Sequence, residues 1–181
     1  MQLHKDVEEI LLTHEEIVEK SKELGKRITK DYEGKTPILI GLLKGAIPFF
    51  AELIKYVECD MEMDFIDVSS YDGVKSTGKI KVLKDVSCDV SGRHILFVED
   101  IIDTGLTLSE VIKMFQERNI ASYEVVTLID KPEGRTIAGV NPKYIGFNIP
   151  NKFVIGFGLD YNEIYRNLPY VGVLKRSVYE K

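Results

Sequence analysis

Three carboxylates crowd into five positions at Glu99, Asp100 and Asp103, and Thr104-Gly105-Leu106-Thr107 follows directly. Like charges this close raise each other's pKa, so the cluster is costly unless a cation or paired hydroxyl donors use it. An apolar run, residues 95–98, precedes the acids, and a helical pattern follows them. A buried strand that runs into an acidic loop and then opens a helix suits a phosphate held on backbone N–H groups beside a metal ion. Two further candidates sit at the ends of apolar runs. Lys44-Gly45 comes after residues 38–42, and Lys131 comes after residues 123–129.

The elements that must position these groups follow from periodicity. Thr13 and Glu16 form a capping box for a helix over residues 13–31, with Ile17, Leu24 and Ile28 at helical spacing. Residues 47–56 read as a helix with Pro48 in its first turn, where a missing N–H costs little. Residues 63–68 and 79–83 read as strands. Between them lies a polar stretch with two glycines, residues 69–79, read as a mobile loop or hairpin tip. Thr107 is expected to cap the next helix, with Glu110 three residues on and Leu108, Val111, Ile112 and Phe115 as its apolar stripe. Short strands are expected over residues 144–148 and 153–158, and a final strand within residues 171–181. Strands that alternate with helices imply an α/β fold, with a mostly parallel sheet covered on both faces. Ligands in such sheets sit outside the carboxyl ends of the strands, where Lys44-Gly45, the acidic cluster and Lys131 all fall.

The 181 residues suit a single domain, and 44% apolar content supports a sizeable core. No apolar run reaches the roughly 18–20 residues that span a bilayer. The acids Asp6, Glu8 and Glu9 near the start argue against a targeting peptide, so a cytoplasmic location is expected, with no membrane partner. Cys59 and Cys88 have no metal-type spacing and read as free thiols. A net charge of −5 argues against a nucleic-acid partner. It also means that an anionic ligand would need local cations, helix N-termini or Mg²⁺.

The stretch from Val98 to Leu108, V-E-D-I-I-D-T-G-L-T-L, resembles the phosphoribosyl-pyrophosphate signature of type I phosphoribosyltransferases. Leu42-Leu43-Lys44-Gly45, Ser69-Ser70-Tyr71, Ser76-Thr77-Gly78, Lys131-Pro132 and Phe153-Val154-Ile155-Gly156 occur in order, and Asp160-Tyr161-Asn162-Glu163 with Arg166 completes the set. Together they narrow the resemblance to the hypoxanthine-guanine branch, over nearly everything from residue 38 to residue 166. The resemblance implies a type I phosphoribosyltransferase fold. Its core would span about residues 35–142, and a small hood lobe would combine N-terminal residues with about residues 143–181.

The resemblance also implies roles. Glu99 and Asp100 would hold the ribose hydroxyls and, partly through water, Mg²⁺, with Asp160 as a further Mg²⁺ ligand. Carboxylates are acceptors only, which suits paired hydroxyls, and Mg²⁺ takes a few oxygen ligands plus substrate phosphates. Asp103 would be the general base near purine N7. Thr104, Gly105, Leu106 and Thr107 would wrap the 5′-phosphate. Lys44 and Gly45 would bind pyrophosphate on a loop whose Leu43–Lys44 peptide can be cis, and Arg166 would add its planar fork. Lys131 would donate to the purine O6; an ammonium has donors only, which disfavours a 6-amino base. Phe153, a core residue by composition alone, would stack on the purine, with Val154 at its position-2 edge. Ser70 and Tyr71 would belong to a lid that excludes water.

The implied activity is purine salvage: transfer of 5-phosphoribose from phosphoribosyl pyrophosphate to N9 of a 6-oxopurine base. A homodimer or homotetramer is implied, with Tyr161, Tyr165 and Tyr170 as candidate contact residues. Two other classes compete. Fold alone does not fix function, so a non-catalytic nucleotide-sensing regulator on the same fold competes; intact Asp103, Lys131 and Arg166 and the acidic balance oppose it. A phosphoacceptor signalling domain leaves the D-T-G-x-T stretch unexplained. A pyrimidine-specific transferase is disfavoured by Phe153 and the D-Y-N-E stretch. His4, His14 and His94 lie outside every motif, which argues against histidine catalysis or a zinc site.

Overall fold

The computed structural model describes residues 3–70, 80–137 and 139–180. The chain forms β1 (Val7–Leu12), α1 (His14–Asp31), β2 (Ile38–Leu43), α2 (Ile47–Leu53) with a 3₁₀ turn after it, β3 (Glu62–Ser70) and β4 (Ile80–Lys84). It continues with β5 (His94–Ile102), α3 (Leu106–Gln116), β6 (Ser122–Asp130), β7 (Tyr144–Asn148), β8 (Val154–Ile155), β9 (Val171–Leu174) and α4 (Arg176–Tyr179). The helix α1 starts at the expected capping box: Glu16 N donates to Thr13 Oγ1 at 3.2 Å, and Thr13 N donates to Glu16 Oε2 at 2.8 Å.

Six strands form the main sheet in the order β4-β3-β2-β5-β6-β7, parallel except for β4 at its edge. Both faces are buried, which is why the central strands read as continuous apolar runs. Leu39, Leu96, Val98, Val126 and Leu128 point to the α1–α2 side, where they meet Ile17, Leu24, Phe49 and Phe50. Their neighbours Ile38, Ile40, Ile95, Phe97 and Val125 point to the other side, against Val111 and Phe115 of α3.

A second sheet, β1-β9-β8, is antiparallel and joins the two ends of the chain. Its own core holds Val7, Ile155, Tyr165, Tyr170 and Leu174. Tyr165 and Tyr170 are thus buried inside the protomer, not on a contact surface. The Tyr165 hydroxyl donates to Asp6 Oδ2 at 3.0 Å, and the Tyr170 hydroxyl accepts from His4 N at 3.0 Å.

Several boundaries differ from the sequence reading. The strand β5 runs through Glu99 and Asp100 to Ile102, so these acids are strand residues and not loop residues. Thr107 does not cap α3; the N-cap is Gly105, at φ +81°, and Thr107 is the helix's second residue. That left-handed turn is one only glycine adopts cheaply. The strand expected over 153–158 shrinks to Val154–Ile155, because Gly156, Phe157 and Gly158 all take positive φ and turn the chain. The main sheet continues to Asn148, past residue 142 where the hood was expected to begin. The last segment adds a helical turn, α4, beyond its strand.

Candidate active site

Strand order reverses between β2 and β5: the chain leaves β2 for β3 on one side, then returns to β5 on the other. Open α/β sheets bind ligands at the carboxyl ends flanking such a switch. The β2–β5 ladder ends at Gly41–Val98. Beyond it the Leu43–Lys44 peptide is cis, and Gly45 lies against the Asp100 carboxylate. A Cβ on Gly45 would fall 1.8 Å from Asp100 Oδ2. No other residue type allows this approach of the loop to β5.

Lys131, the residue that follows β6, is 5% exposed. Its backbone N–H donates to Ile102 O at 3.0 Å, which aligns the ends of β5 and β6. Its Nζ lies 3.5 Å from Asp103 Oδ2. Asp103 also packs on Gly134, where a Cβ would come within 2.2 Å of Oδ1. A pocket of about 240 Å³ is bounded by Asp100, Asp103, Lys131, Phe153, Val154 and Asp160. An adjoining one of about 150 Å³ runs from Glu99 over Asp103-Thr104-Gly105-Leu106-Thr107. The second pocket opens onto the start of α3, where unpaired N–H groups and the helix dipole favour an anion. Its floor is braced from behind: Thr136 N donates to Thr104 O at 3.2 Å, and the Arg135 side chain packs under Gly105 while bonding Asp130 and the Val140 carbonyl.

Lys44 and Arg166 converge from two loops. Lys44 Nζ lies 2.9 Å from Glu163 Oε2. Arg166 Nη2 lies 3.2 Å from Glu163 Oε1 and 2.9 Å from Asp160 Oδ1, and its Nη1 donates to Gly158 O at 2.8 Å. The two cations hold the Glu163 carboxyl below the usual carboxylate range, Lys44 contributing most. The structure thus gathers Lys44, Gly45, Glu99, Asp100, Asp103, Thr104, Gly105, Leu106, Thr107, Lys131, Phe153, Val154, Asp160 and Arg166 around one crevice. Tyr71 lies outside the described residues, as do Ser76, Thr77 and Gly78; Ser70 is the last residue of β3, and only its backbone is described.

Burial pushes the Glu99 carboxyl well above its ordinary range, with Asp100 adding repulsion. Burial likewise raises Asp100, to about 6. A carboxyl raised by folding opposes stability as it ionises, so this contribution falls as pH climbs from about 4 through 6. Asp100→Asn is therefore expected to melt above the parent protein at pH 8 in magnesium-free buffer, with the gap narrower at pH 5. Thermal melts at both pH values check it; equal melting at pH 8 would contradict the electrostatic cost assigned to Asp100.

Among the described residues no three His, Cys, Asp or Glu side chains form a ready cage for an ion. Two buried acids with raised pKa are what a hard divalent cation relieves. Gly134, Arg135 and Glu163 were not singled out as site residues from the sequence. Gly134 and Arg135 carry no periodic signal, and Glu163 was legible only as part of the D-Y-N-E stretch. A wider, open cleft of about 640 Å³ between α1 and Phe147 lies away from the strand ends and is walled by Lys20–Glu23 and Lys22–Glu19 ion pairs. No helix among the described residues is long and apolar enough to cross a membrane.

Comparison with known proteins identifies the family. A family model described as a phosphoribosyl transferase domain matches residues 7–162. A hypoxanthine-guanine phosphoribosyltransferase of Lactococcus lactis subsp. lactis is 57% identical over 180 residues, 99% of this chain and 97% of that one. One from Streptococcus pneumoniae is 56% identical over 178 residues, 98% of each. A crystal structure of a hypoxanthine phosphoribosyltransferase from Staphylococcus aureus superposes with a TM-score of 0.94 at 46% identity, covering 98% of this chain and 97% of that one.

Proposed function

The chain belongs to the phosphoribosyltransferase family, and from that membership together with the site geometry we infer that it is a purine salvage enzyme. It transfers 5-phosphoribose from phosphoribosyl pyrophosphate to N9 of hypoxanthine or guanine, giving IMP or GMP and pyrophosphate. The 5′-phosphate sits on the Thr104–Thr107 loop and the N-terminus of α3. Glu99 and Asp100 accept from the ribose hydroxyls. Lys44, Gly45 and Arg166 hold pyrophosphate, which takes over the two cations that Glu163 engages. Magnesium, when bound, neutralises charge on the departing pyrophosphate, and Glu99, Asp100 and Asp160 are the carboxylates that would hold it. Asp103 accepts the proton from purine N7 as the N9–C1′ bond forms.

Lys131 carries the base assignment: a buried ammonium beside Asp103, facing the pocket that Phe153 and Val154 border. With three donors and no acceptor it pairs with an exocyclic oxygen and leaves a 6-amino group unsatisfied. Sites that hydrogen-bond a substrate group reject analogues lacking it strongly. The small sheet serves as the hood over the base, and the protein works in the cytoplasm as a homodimer or homotetramer.

Pyrophosphate release from phosphoribosyl pyrophosphate and Mg²⁺ tests the reading with hypoxanthine, guanine, xanthine, adenine and uracil in parallel. Turnover with 6-oxopurines and none with adenine or uracil is expected. Nucleotide binding without turnover on any base would replace the enzyme by a regulator on the same fold.

A further inference from the structure

Phe153 is 39% exposed, so little of the core fixes its ring. Two other aromatic rings do. Tyr179 of α4 lies nearly parallel to it, with centroids 4.9 Å apart and planes 22° apart. Tyr161 stands across it at 85°, with centroids 5.6 Å apart. Phe153 borders the base pocket beside Lys131 and Val154, whereas Tyr179 does not. Phe153 thus borders the pocket and at the same time stacks on the last helical turn of the chain.

That turn does not hold itself. The helix α4 has four residues and no side-chain cap. It is fastened to the N-terminal segment instead: Lys175 N donates to Asp6 O at 2.9 Å, and Lys175 Nζ donates to Lys5 O at 2.6 Å. Val178 and Tyr179 pack on the small-sheet core around Val7 and Leu174. The position of Tyr179 is thus set by both ends of the chain.

We propose that Tyr179 is a positioning residue for the purine: it stacks behind Phe153 and fixes the plane on which the base lies, so that base, Phe153 and Tyr179 form three layers. The proposal rests on the 6-oxopurine reading above. It makes base affinity depend on a ring that never touches the base. An aromatic pair of this geometry shifts an equilibrium by roughly two- to tenfold.

The test is steady-state kinetics of Tyr179→Phe, Tyr179→Ala and Tyr179→Leu, with hypoxanthine and phosphoribosyl pyrophosphate varied separately and folding checked by thermal melting. For Tyr179→Ala the expected result is a rise in KM for hypoxanthine of about three- to tenfold. The KM for phosphoribosyl pyrophosphate and kcat should stay near the parent values, and Tyr179→Phe should restore base affinity. Tyr179→Leu, which keeps bulk without a ring, should resemble alanine and decides the matter if alanine folds poorly. Unchanged base KM in folded variants overturns the proposal. So does a fall in base KM, which would mean that Tyr179 stands where the base must go. A parallel rise in both KM values reduces Tyr179 to a fold support and overturns it too. Absence of parent turnover with any 6-oxopurine is a different failure, that of the substrate reading itself.

Discussion

Asp103→Asn is expected to lower kcat with hypoxanthine by roughly 10²–10⁴-fold, the usual worth of a positioned general base. The substitution is nearly isosteric, which isolates the proton. Asparagine fills the same space against Gly134, where the fit leaves no room for even a methyl group. It also keeps an oxygen within reach of Lys131 Nζ. The Asp103 side chain is half exposed, so the change should cost little stability. The KM for phosphoribosyl pyrophosphate should stay close to the parent value, since the phosphates meet other atoms. Steady-state pyrophosphate release measures both. A variant within threefold of the parent in kcat would show that the N7 proton leaves by another route.

Gly45→Ala is expected to cut kcat/KM for phosphoribosyl pyrophosphate by about 10²-fold, the penalty for misplacing a reacting group by about 1 Å. An alanine Cβ at 1.8 Å from Asp100 Oδ2 cannot be accommodated in place. The loop also packs closely on Gly158, where a Cβ would stand 1.9 Å from the Gly45 carbonyl. The loop must therefore push Asp100 off the ribose or swing Lys44 away from the pyrophosphate. Overpacking of this kind costs about 1–3 kcal/mol, or about 2–4 °C in Tm per kcal/mol for a chain of this size. Gly92→Ala is the control. Unlike Gly45 it has positive φ, and open space surrounds its Cβ position. It should lose stability and keep its kinetics. Equal kinetic losses in the two variants would assign the effect to lost stability and not to the crevice.

The sequence signals that proved legible were local or periodic. Thr13 and Glu16 marked the start of α1 because a capping box needs only four residues, and the burial of β2 and β5 on both faces reads as apolar runs. What escaped was set at long range or by single backbone angles. The strand β1 has no clean alternation, and its partner, β9, is nearly the whole chain away. Glu99 and Asp100 looked like the end of a strand because carboxylates rarely continue one; they remain in β5 at an electrostatic cost. Thr107 offered a capping side chain, yet the left-handed turn at Gly105 took the N-cap. Among site residues, the type I signature and the motif order brought out Asp103, Lys131 and Arg166. Gly134, which packs on Asp103, and Arg135, which packs under Gly105, follow from packing alone.

The pairing of β1 with β9 also orders events in time. A chain leaves the ribosome from its N-terminus, and its parts fold roughly in that order. The part of the crevice built from β2, β5 and α3 is encoded before residue 117, ahead of Lys131, Phe153, Asp160 and Arg166. The hood comes later: β1 has no partner until residues 171–174 emerge, and Tyr179 comes a few residues later still. A nascent chain would thus own a phosphate cradle well before it owns a wall for the base. On the reading proposed above, a firm grip on the base would be the last property to form as the chain is made, and loss of the residues around Tyr179 should weaken it before it weakens phosphate binding.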